Sequence, residues 1–140
     1  MAGHKDRAHA LLSASGAHRW MNCTPSAVLE SQFPDTTSEA AKEGTLAHEM
    51  AEAKLQHLFN TQDYRKAKLT RTLNKIKKDE LYQSEMDGYT DDYVAYIRKA
   101  AMEFEKTPYI AIEKRLDLTA YIPDGFGTAD CVMIGEKTLH

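Results

Sequence analysis

Cysteine is scarce. Only Cys23 and Cys131 occur in the 140 residues, which excludes the disulfide framework of a small secreted scaffold. Long apolar runs are missing too. None approaches the roughly 20 residues that a membrane-spanning helix needs, so no membrane partner is expected. The opening stretch, Met1 to Ala10, is polar and carries no secretory apolar segment, and a cytoplasmic protein is the expectation. An excess of positive charge is also absent. The formal net charge is -3, so any nucleic-acid footprint must be local rather than global. Internal repeats and low-complexity tracts are lacking. What is present, 42% hydrophobic residues over 140 positions, suffices for the core of a single domain spanning 1–140.

The first two thirds read as helix (1–106) and the remainder as sheet (107–140). Ser13 or Ser15 can cap a short helix through Trp20. Thr24 followed by Pro25 is a helix start, cap then first-turn proline, and that helix should end by Phe33-Pro34. Thr36, Thr37 or Ser38 caps the next helix, which runs to about Phe59 with an apolar stripe of Ala40, Ala47, Ala51, Leu55 and Leu58. Gly44 inside it costs roughly 1 kcal/mol against alanine, which suggests close approach by another element. After a basic stretch, a long helix covers about Glu80 to Lys106, with Met86, Tyr89, Tyr93, Ile97, Ala100 and Phe104 on one side.

The period then changes to two. From Tyr109 to Leu118, Ile110, Ile112, Leu116 and Leu118 face one way and Glu113, Arg115 and Asp117 the other. Ile122-Pro123-Asp124-Gly125 is turn chemistry. Phe126 to Ile134 is apolar on both faces, as in a central strand. Gly125 and Gly127 mark a bulge or close backbone approach. Gly135-Glu136 forms a tight turn, and Lys137 to His140 begins a third strand.

Two residues carry chemistry. Asp130 sits mid-strand among apolar neighbours, where a carboxylate needs a charged or hydrogen-bonding partner. It is either a structural aspartate paired with lysine, arginine or turn amides, or a metal ligand. His48 shares a helical face with Gly44 and Glu52 at four-residue spacing. An imidazole and a carboxylate so placed can share a cation, although a satisfied structural histidine fits the same pattern. His48-Glu49-x-x-Glu52 lacks the second histidine of a zincin helix, which excludes a zinc protease of that kind.

Gly44-x-x-x-His48 and Gly127-x-x-Asp130 resemble two of the three motifs of the RecB-like branch of the PD-(D/E)XK nucleases. Ser13 to Cys23 is similar to the opening helix of that family. The closest likeness is an uncharacterised phage- and prophage-borne branch, which implies a bacterial host cytoplasm. The resemblance implies an α+β fold in which a helical N-terminal half packs on the first strands of a restriction-endonuclease-like mixed sheet. It further implies a Mg²⁺ or Mn²⁺ site using His48, Asp130 and, more weakly, Glu52. The third motif, an acidic-x-Lys strand, is expected after Leu139-His140. Glu113-Lys114-Arg115 offers a carboxylate but precedes Asp130, on what the motif order makes the wrong strand. The 140 residues are therefore expected to be the front portion of a DNA nuclease, inefficient alone. Some relatives hold an iron–sulfur cluster through a cysteine near position 23 and three later ones. No later trio exists here, so no cluster is expected, and both cysteines read as buried structural thiols.

The run from Arg65 to Lys78 holds seven cations in fourteen positions. Lys68, Arg71, Lys75 and Lys78 share a face that could follow a phosphate backbone, though such runs are usually solvated. Tyr64 and Tyr82 flank it too sparsely for a stacking platform. Two further functions remain open. One is a non-catalytic phage protein on the same scaffold that binds DNA or inhibits a host defence nuclease. The other is an assembly module that pairs through the sheet edge near Lys137 to His140, with itself or a host or phage protein.

Overall fold

A computed structural model describes residues 10–34, 37–136 and 138–140. Its elements, in order, are α1 (Ala17–Trp20), α2 (Pro25–Glu30), α3 (Glu39–Leu58), a 3-10 turn (Thr61–Asp63), α4 (Lys66–Ile76), α5 (Glu85–Met102), β1 (Tyr109–Asp117) and β2 (Phe126–Ile134). The fold is α+β. Among the described residues no helix is long and apolar enough to cross a membrane. The described chain divides into two compact units, one from residues 10–34 and 114–129, the other from 37–113 with 130–136 and 138–140.

In the first unit, Trp20 donates its indole N–H to the Ser13 carbonyl at 2.8 Å and Ser13 Oγ accepts from the Gly16 amide at 3.1 Å. Thr24 stands at the N-cap of α2 without a side-chain hydrogen bond, and Pro25 opens the helix. The Arg115 guanidinium lies 3.8 Å from the Phe126 ring centroid. At Gly125 an added β-carbon would sit 2.7 Å from Ile122 Cβ and 2.9 Å from the Ile122 carbonyl oxygen, so that turn position requires glycine. Gly127 meets only ordinary contact, Leu118 Cδ1 at 3.8 Å. Cys23 is exposed, contrary to the expectation of a buried thiol.

The second unit is built on α3. Ser38 caps it, accepting from the Ala41 amide at 3.1 Å; Thr36, another candidate cap, lies outside the described residues. Left-handed Asn60 (φ 48°) follows its end. Leu55 joins Ile97 and Ala100 of α5 and Met133 of β2 in one core cluster, with Ile110, Ile112 and Cys131 packed against it. A second cluster unites Met50 of α3, Ile76 of α4 and Met86 of α5. The buried stripe of α3 is thus Met50, Ala51, Ala53 and Leu55. Ala40 and Leu58, expected in it, are exposed, as is Tyr89 on α5. These elements pack along only part of their length, so the apolar stripe exceeds what is covered.

β1 and β2 pair in a two-stranded antiparallel sheet, closed by the Leu118 amide donating to the Gly125 carbonyl at 3.0 Å. Leu139 forms an isolated antiparallel bridge with Ile134, so β2 has pairing on both sides. Lys137, the expected start of a third strand, lies outside the described residues. The alternation expected of β1 is not seen in its burial: residues 110–113 are all half-buried. Glu113 takes φ 51°, which breaks the extended geometry, and residues 114–117 are all exposed. Nor is β2 buried on both faces: Thr128, Asp130 and Ile134 are exposed, because helices cover one face only. Gly44 also departs from expectation. Nothing lies within 4 Å of a β-carbon built there, so no close approach demands it.

Lys54 ties α3 to α5. Its side chain is 11% exposed, and its ammonium donates to the Asp87 carbonyl (3.1 Å), Thr90 Oγ1 (2.8 Å) and Asp91 Oδ1 (2.6 Å). Asp87 in turn accepts from the Tyr82 hydroxyl at 2.6 Å and pairs with Lys77 at 2.8 Å. The hydrogen bond from Lys77, then that from Tyr82, holds the Asp87 carboxyl below the usual carboxylate range. Asp87→Asn should destabilise the chain by about 1–2 kcal/mol at neutral pH. Since the folded value lies below the unfolded one (~3.9), this contribution is full above about pH 4 and is lost as pH falls through the folded value. The difference between thermal melts of the two proteins should therefore narrow as the pH falls below about 4. A difference independent of pH would contradict the ionic role. Gly44→Ala, with open space at the site, should raise stability by about 0.5–1 kcal/mol, measurable by urea denaturation.

Candidate metal centre

His48 projects from α3 and Asp130 from β2, and the fold brings them together: His48 Nε2 lies 3.9 Å from Asp130 Oδ1. A third side chain joins them. His48 Nε2 donates to Glu113 Oε1 of β1 at 2.7 Å. One ligand atom from each of His48, Glu113 and Asp130 falls within 4.8 Å of the others. All three residues belong to the second compact unit.

Hairpin register explains the meeting of Glu113 and Asp130. Glu113 lies five residues before Leu118 and Asp130 five after Gly125, and Leu118 and Gly125 share the hydrogen bond that closes the hairpin. Residues at one level on neighbouring strands project to one face. Glu113 lies on the strand before Asp130, as the sequence order has it, yet stands beside it, because strand order in the chain does not decide proximity when two strands pair directly. Register counted from the Pro123-Asp124-Gly125 turn was the signal that could have found it. Glu113 also holds a left-handed backbone, φ 51°, unusual for a non-glycine residue. Such strain costs of order 1–3 kcal/mol and gathers at functional sites.

Asp130 is 62% exposed at its side chain, so desolvation does not set its chemistry. Among the described residues its ion-pair partner is His48, not lysine or arginine. Burial, then the Asp130 charge, pushes the Cys131 thiol up. Tyr93 of α5 is raised likewise, first by burial and then by Asp130, which sets its hydroxyl beside the same charges.

Glu52, one turn along α3 from His48, stands outside the three-atom group. Its Oε1 accepts from Gln56 Nε2 at 2.5 Å. Burial raises its carboxyl above the usual range, and the charge of Glu113 is the second cause, while His48 opposes the shift.

The four cations proposed for nucleic acid separate. Arg71, Lys75 and Lys78 line one open groove with Ala67, Thr70 and Asn74. Lys68 is not in that lining; its ammonium lies 4.3 Å from the Tyr64 ring centroid. Tyr64 is buried and bonds Thr72, and Tyr82 bonds Asp87, so neither flanking tyrosine offers a free stacking face.

A family model described as a protein of unknown function, DUF2800, matches residues 9–140. The chain belongs to the DUF2800 family. No solved structure matches it.

The donor set of this DUF2800 chain fits a hard divalent cation. Neighbouring ligand atoms around an octahedral Mg²⁺-sized ion bound at 2.0–2.1 Å stand about 3 Å apart. The 2.7 Å and 3.9 Å separations bracket that value, so modest side-chain rotation suffices. Two carboxylates favour Mg²⁺ or Mn²⁺, and the imidazole tilts the choice toward Mn²⁺.

The strain at Glu113 separates backbone from side-chain effects. Glu113→Gly should be more stable than Glu113→Gln by about 1 kcal/mol, since glycine accepts the left-handed conformation freely. Both variants remove the carboxylate that His48 meets. Chemical denaturation of the pair measures the difference, and equal stability of the two variants would show that the left-handed backbone is not strained.

Proposed function

We propose that this DUF2800 chain carries the divalent-cation centre of a metal-dependent DNA nuclease of the RecB-like PD-(D/E)XK kind. The observation that carries the reading is the convergence of His48, Glu113 and Asp130 within 4.8 Å. Two of the three stand in the Gly44-x-x-x-His48 and Gly127-x-x-Asp130 motifs, which lie far apart in the chain. The α+β architecture, with a helix supplying the histidine and a β-hairpin the carboxylates, agrees with it.

A bound Mg²⁺ or Mn²⁺ would polarise the scissile phosphate and lower the pKa of the attacking water. The residues of the chain hold and orient. Asp130 and Glu113 present oxygens from neighbouring strands. His48 Nε2, which meets Glu113 at 2.7 Å, would hold the cation as a neutral ligand. Glu52 adds a further carboxylate beside them. An acidic-x-Lys pair does not occur between Asp130 and His140, so cation binding is the direct test for these 140 residues.

Calorimetric titration with Mn²⁺ should give one site, with Mg²⁺ binding more weakly. His48→Ala, Glu113→Gln and Asp130→Ala should each weaken Mn²⁺ binding at least about tenfold, a loss that even outer contacts of metal sites produce. Glu85→Gln, remote on the first turn of α5, should not. Linear duplex DNA incubated with the chain and Mn²⁺ should be cut slowly, and not at all by Asp130→Ala. Wild-type protein without a Mn²⁺ site, or a site indifferent to all three substitutions, would refute the reading.

A further inference from the structure

The groove on α4 has a composition that helix stability does not explain. Residues 65–78 contain seven cations and no carboxylate, in a chain with 21 acidic against 18 basic residues. A solvated surface helix gains from mixed signs at four-residue spacing, whereas like charges so placed, such as Arg71 and Lys75, cost a few tenths of a kcal/mol. The apolar face of α4 is already anchored, with Ile76 1% exposed and Leu73 packed against the Met50–Met86 cluster. Apart from Lys77, which pairs with Asp87 at 2.8 Å, and the longer Lys75–Glu49 contact, the cations are therefore not holding the helix in place.

Their geometry is that of a row. At 1.5 Å rise per residue, Arg71 and Lys75 stand about 6 Å apart along α4, and Lys78 follows in the turn just past its end. One nucleic-acid strand carries a phosphate per about 3.4 Å of duplex axis, so the Arg71–Lys75 step alone spans about two. Among the described residues neither Arg71 nor Lys78 has an ion-pair partner, and Lys75 meets only Glu49, at 3.7 Å. Asn74, between them, adds a neutral amide donor. The Thr70 hydroxyl donates to the Lys66 carbonyl at 3.0 Å and serves as wall. The largest apolar group in the lining is the Ala67 methyl, which leaves nothing to insert into a lipid surface. Glu49 follows His48 directly on α3, so the Lys75–Glu49 contact sets the middle of the row against the helix that carries His48.

We propose that Arg71, Lys75 and Lys78 form the track for the phosphate backbone of nucleic acid entering that centre. The role of the track rests on the nuclease reading above, but binding along it does not require the cation. The test uses fluorescence anisotropy with labelled single strands and duplexes of DNA, each about 20 nucleotides or base pairs long to exceed the row several-fold, in EDTA, over a salt series. Arg71→Gln/Lys75→Gln/Lys78→Gln should weaken binding at least about tenfold at low salt. It should also flatten the log–log salt slope by about two for single strands, at roughly 0.7 for each phosphate no longer neutralised. Lys42→Gln/Arg98→Gln/Lys99→Gln, the same charge change at exposed positions elsewhere, should leave both unchanged. Circular dichroism confirms that each variant is folded.

Equal loss in the two triple variants would reduce the effect to net charge and overturn the proposal. So would the absence of DNA binding, or displacement of DNA by polyglutamate at matched charge, which would mark a surface for acidic protein. Track-dependent DNA binding in a wild-type chain that takes up no Mn²⁺ would leave the track standing and remove the nuclease reading. Mn²⁺ uptake without DNA binding would do the reverse.

Discussion

A single ammonium fixes the frame in which the site is built. Lys54 lies almost out of solvent between α3 and α5, and its three donors meet a backbone carbonyl, a hydroxyl and a carboxylate of α5. A buried cation without partners is expensive, so the two helices have one arrangement in which this group is satisfied. Asp87 extends the constraint, because its carboxylate also binds Tyr82 and Lys77 just beyond the end of α4. Dispersion and burial in the Leu55–Ile97–Met133 cluster supply most of the stabilisation, but such contacts tolerate sliding. The ionic network specifies the register of α3, and with it where His48 stands.

The second constraint comes from the hairpin. Gly125 has no room for a side chain against Ile122, so the turn holds one geometry, and a one-residue slip would invert every side chain. In the observed register, Cys131 and Met133 turn toward the helices while Asp130 falls on the alternate positions. Glu113 then departs from extended geometry with φ 51°. A strained, half-buried carboxylate in hydrogen-bond contact with a histidine is poor design for stability alone. Strain of this kind gathers at functional sites.

Much of the fold was legible because local chemistry marks boundaries. Ser38 and the Thr24-Pro25 pair announce helix starts, and the change of period near Tyr109 announces strands. Extent of burial was less legible. Ala40, Tyr89 and the outer half of β1 carry apolar patterns that partners cover only in part, and pattern alone cannot tell a covered face from an open one. Gly44 misled for a related reason, since glycine in a helix has more causes than close packing. His48 and Asp130 were found through motif spacing. Glu113 was not, because motif order is one-dimensional and the hairpin places it by pairing.

Charge gives the site its direction. Glu52, Glu113 and Asp130 bring negative charge around one imidazole, and the effect is visible in Glu52, whose carboxyl is raised by burial and then by Glu113. Like charges gathered without compensation oppose folding, and the His48 ring compensates only when protonated. A divalent cation would compensate these carboxylates, lowering the Glu52 carboxyl toward its ordinary range and displacing protons from the group. Proton release on Mn²⁺ binding, read as a buffer-dependent calorimetric enthalpy near neutral pH, would register this exchange. Binding enthalpies identical in buffers of different ionisation heat would mean the carboxylates are arranged for some other partner.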